Sequence, residues 1–292
     1  MIGVLLQGRL GNQLFQYAFA YSTAKKLKTE YFIDLRQEKF LIPAYFTLEP
    51  SLINLLSRYI FSITGFNSIF SIHLKRFFSK ALKPVSLQQE VRFGFDVYPY
   101  KVLENLENDI QYIGYFQSEI YFQEYQQEIR KLFTIRTTVQ KKYERTYKSI
   151  FSGKKIATFH IRRTDYTQLE QLNLGKPDLS LPRDYYHNII SKLEKDNLLF
   201  VFISDDPKFV AEEFSYVKNK YISQANEITD FQHMLNADIC VISNSTFSWW
   251  AAWLNTNPNK MVYCPKYFLG FHIQKTVPPE IYPSNWILMD TH

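Results

Sequence analysis

The second half of this sequence alternates short apolar runs with segments of helical periodicity, and that alternation restricts the chain to one class of fold. Residues 156–161, 199–204, 238–243 and 261–264 are strand-like. Residues 184–194, 207–214 and 245–254 lie between them and repeat apolar side chains at helical spacing. Strands and helices in this order pack as a doubly wound parallel sheet. The start of the chain has the same grammar. Residues 2–7 form an apolar run, a glycine-bearing turn follows, and from Asn12 the residues Leu14, Phe15, Ala18, Phe19 and Leu27 recur on one helical stripe. A second run at 31–35 completes a βαβ unit. Residues 41–100 are less periodic and contain several prolines, which suits an insertion of helices and loops. Residues 110–116 read as a strand and 123–133 as a helix. The charged turn Ser152-Gly153-Lys154-Lys155 separates the halves.

At 292 residues the chain suits two domains or one large α/β domain, and 46% apolar residues without a low-complexity tract exclude a disordered or fibrous protein. Aromatic residues reach 17%. Such side chains fill cores and also form the flat walls on which sugar rings and bases rest, so their abundance alone decides nothing. The net charge of +6 is scattered along the chain, and no arginine-rich arm, RNA-binding signature or zinc-finger spacing occurs, which argues against a nucleic-acid partner. Two cysteines, Cys240 and Cys264, are too few for a disulfide framework and have no nearby metal ligands, so a reducing cytoplasm is the expected home. Residues 1–16 lack the order of a signal peptide. The apolar run 58–75 is interrupted by Ser62, Thr64, Gly65, Asn67 and Ser68, short of the ~20 residues that span a bilayer. With Arg58, Lys75, Arg76, Lys80 and Lys83 around it, the stretch reads either as ordinary packed helices or as a basic element lying on an anionic membrane face.

Ligands of open parallel sheets bind beyond the carboxyl ends of the strands, and four polar strings occupy such places. Gly8-Arg9-Leu10-Gly11-Asn12-Gln13 supplies a tight turn and then Asn12 at a helix start, a pattern that serves structure as readily as ligand binding. It lacks the third glycine of a dinucleotide fingerprint and the Lys-Ser/Thr end of a P-loop. His160-Ile161-Arg162-Arg163-Thr164-Asp165-Tyr166 carries two arginines whose forks suit pyrophosphate oxygens. Neighbours on extended backbone face opposite ways, so one arginine is expected to reach a phosphate and the other a carboxylate. His160 reads equally well as a hydrogen-bonded structural group. Asp205 and Asp206 follow the run 199–204. They suit a ribose or guanine edge better than a metal, because adjacent carboxylates diverge, and Asp206 before Pro207 also reads as a helix cap. Ser243-Asn244-Ser245-Thr246-Phe247-Ser248 sets hydroxyls and N–H groups at a helix start that can receive a diphosphate. Trp249, Trp250 and Trp253 along that helix read as core.

Taken in order, the first string continued through Leu14-Phe15-Gln16-Tyr17-Ala18, the second, and the last continued through Trp249-Trp250-Ala251-Ala252-Trp253-Leu254 resemble the α1,2-fucosyltransferase family. Gly114-Tyr115-Phe116-Gln117-Ser118 is also similar to it. The resemblance spans nearly the whole chain. It implies a GT-B-like α/β fold of two facing Rossmann-type domains with parallel sheets. Residues 1–153 would form the acceptor-side domain with a helical insertion, and residues 154–292 the GDP-sugar-binding domain. It further implies GDP-β-L-fucose as donor, no cofactor or metal, and inverting transfer to the 2-hydroxyl of a terminal galactose on a glycan, lipid-linked or free. Donor contacts would come from Gly11, Asn12, His160, Arg162, Arg163, Asp205, Asp206, Asn244, Ser245, Thr246 and Phe247. Arg162 would sit on the β-phosphate, and Asn12 where the domains meet at the reacting sugar. Asp165 and Glu170 are the candidate general bases within the motif, Glu170 matching the spacing of a glutamate in a related α1,6-acting family. The implied setting is bacterial surface-polysaccharide synthesis in the cytoplasm, with peripheral contact at the inner membrane face as an expected partner surface.

Overall fold

The structure, a computed structural model, describes residues 1–35, 37–48, 89–194 and 197–291. The basic stretch 58–83 lies outside the described residues. No helix among the described residues is long and apolar enough to cross a membrane. The chain divides into two compact units, Met1–Thr134 and Ile135–His292.

In the first unit the strands are β1 (Ile2–Leu5), β2 (Tyr31–Asp34), β3 (Gln89–Arg92) and β4 (Ile110–Ile113), and the helices are α1 (Leu10–Lys26), α2 (Ile42–Tyr45), α3 (Pro99–Leu103) and α4 (Gln126–Leu132). The sheet order is β2-β1-β4-β3 and every pairing is parallel. Helix α1 returns the chain from β1 to β2 and buries Leu10, Leu14, Phe15, Ala18 and Phe19. Phe19 stacks on Phe116 with ring centroids 3.7 Å apart. The buried Gln13 ties the surrounding loops together: its amide donates to the Gly8 and Lys39 carbonyls at 3.0 and 2.9 Å and accepts from the Leu41 N–H at 2.9 Å. Strand β3 has no apolar alternation, because its sequence Gln-Glu-Val-Arg lies on a sheet edge and faces water.

The second unit holds β5 (Lys155–Ile161), β6 (Leu198–Ser204), β7 (Lys220–Ile222), β8 (Ile239–Val241), β9 (Met261–Pro265) and β10 (Ile287–Met289). Its helices are α5 (Thr137–Phe151), α6 (Arg183–Leu193), α7 (Pro207–Glu213), α8 (Glu227–Leu235) and α9 (Thr246–Leu254). The sheet order is β10-β9-β8-β5-β6-β7, again wholly parallel. Strands β5 and β6 are interior to the sheet and covered on both faces, so they are buried along nearly their whole length rather than at alternate residues. Helix α9 is buried nearly all round. Trp249, Trp250 and Trp253 lie in the core, and the Trp249 indole donates to the Ile281 carbonyl at 2.8 Å. Truncating such a side chain costs about 3–5 kcal/mol, which makes these tryptophans supports rather than sugar platforms. Helix α5 belongs to this unit, ahead of the 153/154 division read from the sequence, because Tyr143, Tyr147 and Phe151 pack around His233 at 5.4, 4.7 and 5.2 Å.

Each sheet has a point where the direction of winding reverses. In the second unit the chain enters at β5, builds β6 and β7 on one side, and then crosses to β8, β9 and β10 on the other. The crevice therefore opens between the carboxyl ends of β5 and β8. In the first unit the corresponding reversal lies between β1 and β4.

Candidate active site

The crevice of the second unit collects three of the four polar strings. The loop after β5 is pinned by Asp205 at the end of β6. Asp205 accepts from the backbone N–H groups of Arg163 and Thr164 at 3.0 and 3.2 Å and from the Thr164 hydroxyl at 2.6 Å. That anchor orients Arg162. Its Nε and Nη2 each donate to Asp165 at 2.7 Å, and Nε lies 3.3 Å from Asp205. Burial alone would lower the Arg162 pKa, but the hydrogen bond to Asp165 and the charges of Asp205 and Asp165 outweigh it and hold the guanidinium above its ordinary value. Two of its five N–H groups go to Asp165, so a partly buried, fully charged guanidinium is held in one orientation with its remaining N–H groups not spent on that carboxylate.

Arg163 turns elsewhere; both arginines lie in the loop beyond β5, where backbone contacts to Asp205 rather than strand alternation set their directions. Its guanidinium carbon lies 3.7 Å from the centre of the Phe209 ring, and its Nε is 3.9 Å from Asp206. Asp206 caps α7 by accepting from the Phe209 N–H at 3.1 Å, so its cap reading describes the geometry. His160 is buried and shares a hydrogen bond between Nδ1 and the Ser243 hydroxyl at 2.8 Å. Burial, reinforced by the Arg162 charge and only partly offset by Asp205, pushes its pKa down to about 3, so the imidazole is neutral at pH 7. Glu170 lies exposed on the short turn Glu170–Leu172.

The other wall of the crevice follows β8. Asn244 is fully buried. Its side-chain amide donates to the Leu179 carbonyl at 2.8 Å, and its backbone carbonyl accepts from the Tyr166 hydroxyl at 3.1 Å, so this wall is sewn to the arginine loop. Ser245 precedes α9 without capping it through its side chain, while Thr246 and Phe247 are partly exposed. A helix of nine residues thus presents its positive end at the switch point beside a fixed arginine fork.

One perturbed carboxylate that the sequence did not single out is Asp230. It lies in the first turn of α8, just beyond β7, with its carboxyl oxygen 2.5 Å from the Ser223 hydroxyl. Burial raises its pKa to about 6 against a partial lowering by Ser223. The signal available was the Asn226 cap, which accepts from the Thr229 N–H at 3.1 Å and marks a helix start at a sheet edge.

In the first unit α1 begins at Leu10 with Arg9 as its cap residue, so Asn12 lies inside the first turn rather than capping it, next to the buried Gly11. Gly8 has φ +74°, and a Cβ there would come 2.6 Å from the Asn12 amide nitrogen, so glycine is what lets Asn12 approach. The Asn12 carbonyl oxygen accepts from the Gln117 amide at 2.9 Å, which joins the loops after β1 and β4 across the switch point.

Residues 1–289 match the family described as Glycosyl transferase family 11. The chain belongs to glycosyl transferase family 11. Two Escherichia coli relatives agree. An alpha-1,2-colitosyltransferase is 31% identical over 85% of this chain and 86% of its own. The O-antigen biosynthesis glycosyltransferase WbnK is 30% identical over 91% and 94%. Among solved structures, the fucosyltransferase NodZ from Bradyrhizobium is similar at TM-score 0.50 and 14% identity, covering 86% of this chain and 91% of that one. POFUT1 in complex with GDP is similar at TM-score 0.51 and 12% identity, covering 89% and 96%. This family 11 chain is therefore a glycosyltransferase with a GT-B-like α/β fold, and the α1,2-fucosyltransferase resemblance read in its motifs is borne out.

Proposed function

We propose that this family 11 enzyme transfers L-fucose from GDP-β-L-fucose to the 2-hydroxyl of a terminal galactoside with inversion, in the assembly of a surface glycan. The observation that carries the donor assignment is the Arg162 guanidinium, fixed by Asp165 and Asp205 at the crevice where α9 begins. In the proposed reaction the acceptor oxygen forms a bond to C1 of fucose as the bond from C1 to the β-phosphate oxygen breaks. Negative charge grows on the departing GDP, and in this reading Arg162 and the helix end stabilise it. His160, neutral at pH 7, shapes the wall through Ser243 and Phe247 rather than moving a proton. With the Asp165 carboxylate bonded to Arg162, Glu170 is the carboxylate of that motif assigned to take the acceptor proton. Asp205 and Asp206 accept from fixed backbone N–H groups, whereas the donor on Asp230 is a rotatable hydroxyl, so Asp230 is assigned the two donors of the guanine edge.

The colitosyltransferase relative favours a second reading, in which the same GDP site carries a different deoxy sugar. Thermal stabilisation by GDP, ADP and UDP, followed by a donor and acceptor screen with linkage analysis, tests both readings. GDP should stabilise far more than the others. Equal shifts from all three nucleotides would overturn the GDP assignment, and turnover of another GDP-sugar but not GDP-fucose would select the second reading.

A further inference from the structure

We propose that the switch point of the first unit is the acceptor-saccharide site, with the stacked rings of Phe95 and Tyr115 as platform and the Asn12–Gln117 amide pair reading a hydroxyl. This rests on the glycosyltransferase reading and names the groups that would hold the second substrate.

Topology places these residues together. All four strands of the first sheet run parallel, so the loops after β1, β3 and β4 meet on one edge. Phe95 follows β3 and Tyr115 follows β4. Both are partly exposed, with ring centroids 5.0 Å apart and planes inclined by 22°. Tyr98 and Tyr100, 48% and 56% exposed, continue the aromatic segment into α3. A pyranose has an apolar C–H face and a polar rim, and a ring wall flanked by amides matches both.

The loop after β4 reverses sharply. Phe116, between Tyr115 and Gln117, has φ +50°, a conformation expensive for a bulky residue. Its ring is locked on Phe19, and the Gln16 amide holds the Gly114 carbonyl at 3.0 Å. This reversal sets Tyr115 on Phe95 and sends Gln117 to Asn12. Gln117 is 7% exposed, and its Oε1 is buried without a hydrogen-bond partner although its Nε2 is satisfied by Asn12. A buried amide oxygen lacking a donor costs about 1–3 kcal/mol, and a sugar hydroxyl supplies the missing proton. Burial, with the nearby charge of Glu38, raises the Tyr115 phenol above its ordinary pKa, so it stays a neutral O–H donor. The converging groups are rings and amides, unlike the carboxylate-held arginine fork of the second unit, and they suit a neutral sugar better than a diphosphate.

The test uses the full chain and lactose as probe, read by saturation-transfer NMR and by the KM for lactose in GDP-fucose turnover. Tyr115→Ala, Phe95→Ala and Gln117→Ala should each weaken lactose about tenfold, the scale of losing one ring or amide contact. Tyr115→Phe, which keeps the ring, should retain most of the binding. The stabilisation by GDP should be unchanged in all four, which excludes misfolding as the cause. Lactose signals that persist in Tyr115→Ala and Phe95→Ala, or that are absent from the wild type, overturn the proposal. A wild-type protein that ignores GDP would sink the donor assignment instead, and the NMR result would still decide the acceptor site.

Discussion

Replacing Asp230 by asparagine should make the protein more stable above pH 6 and poorer at binding GDP. In the folded chain the Asp230 pKa is raised from 3.8 to about 6, chiefly by burial. The folded state therefore binds a proton more tightly than the unfolded state, and stability falls as pH rises from about 4 to about 6. Above that window the full penalty applies. About two pKa units correspond to at most about 3 kcal/mol. Because Asp230 is not fully buried, a gain of about 1–3 kcal/mol is the working expectation for Asp230→Asn at pH 7.5. Asparagine keeps the shape and can still accept from the Ser223 hydroxyl, so the substitution removes the charge and little else. The assay is urea unfolding of both proteins from pH 4 to pH 8, with the difference in stability plotted against pH. It should be near zero at the acid end, rise through the window and then stay level. A difference that is flat with pH, or a variant less stable at pH 7.5, would refute the burial argument. GDP titration supplies the functional half. A carboxylate kept at a stability cost is explained if it reads guanine, and Asp230→Asn should then lose most of the GDP-induced stabilisation.

Arg162→Ala should lower kcat/KM at least ~100-fold per folded molecule, the scale of deleting a donor aimed at developing charge, and Arg162→Lys should recover only part because it keeps the charge but not the fork. Normal turnover by Arg162→Ala would move the diphosphate elsewhere. Arg163→Ala should act mainly through stability, since it strips the cation from the Phe209 ring: a lowered melting temperature with a smaller fall in turnover is expected, and loss of GDP binding by the folded protein would contradict it. Activity should survive EDTA, because the Asp205 and Asp206 carboxylates are directed to different partners, and a full loss restored by manganese or magnesium would overturn this.

Much of the second unit was legible because its buried strands are long apolar runs separated by helices with clear starts. Residues 156–161 and 199–204 correspond closely to β5 and β6, and 245–254 to α9. What escaped were elements whose existence depends on tertiary partners. Strand β7 has three residues, Lys-Tyr-Ile, and is a strand because β6 offers an open edge. Helix α5 carries mostly polar residues, and only the ring packing of Tyr143, Tyr147 and Phe151 on His233 reveals where it belongs. Strand β3 gives no periodic signal because neither of its faces is buried.

The same logic separates what could be read of the site from what could not. Arginines, carboxylates and a helix start could be picked out because chemistry attaches to residue type and to position after a strand. Their division of labour could not be read, since it is set by contacts distant in sequence. Asp205 reaches back 42 and 41 residues to the N–H groups of Arg163 and Thr164, which makes it the anchor of the arginine loop rather than a free acceptor. Asp165, beside the arginines in the motif, bonds Arg162 through both oxygens, a pairing that residue type alone does not announce. Gln117 matters only because β4 lies next to β1, a pairing no local pattern announces, and its partner Asn12 is 105 residues away. Strand order, more than any motif, therefore decides which polar residues become neighbours. In each unit the residues that meet follow neighbouring strands, β1 and β4 in the first and β5 with β6 or β8 in the second.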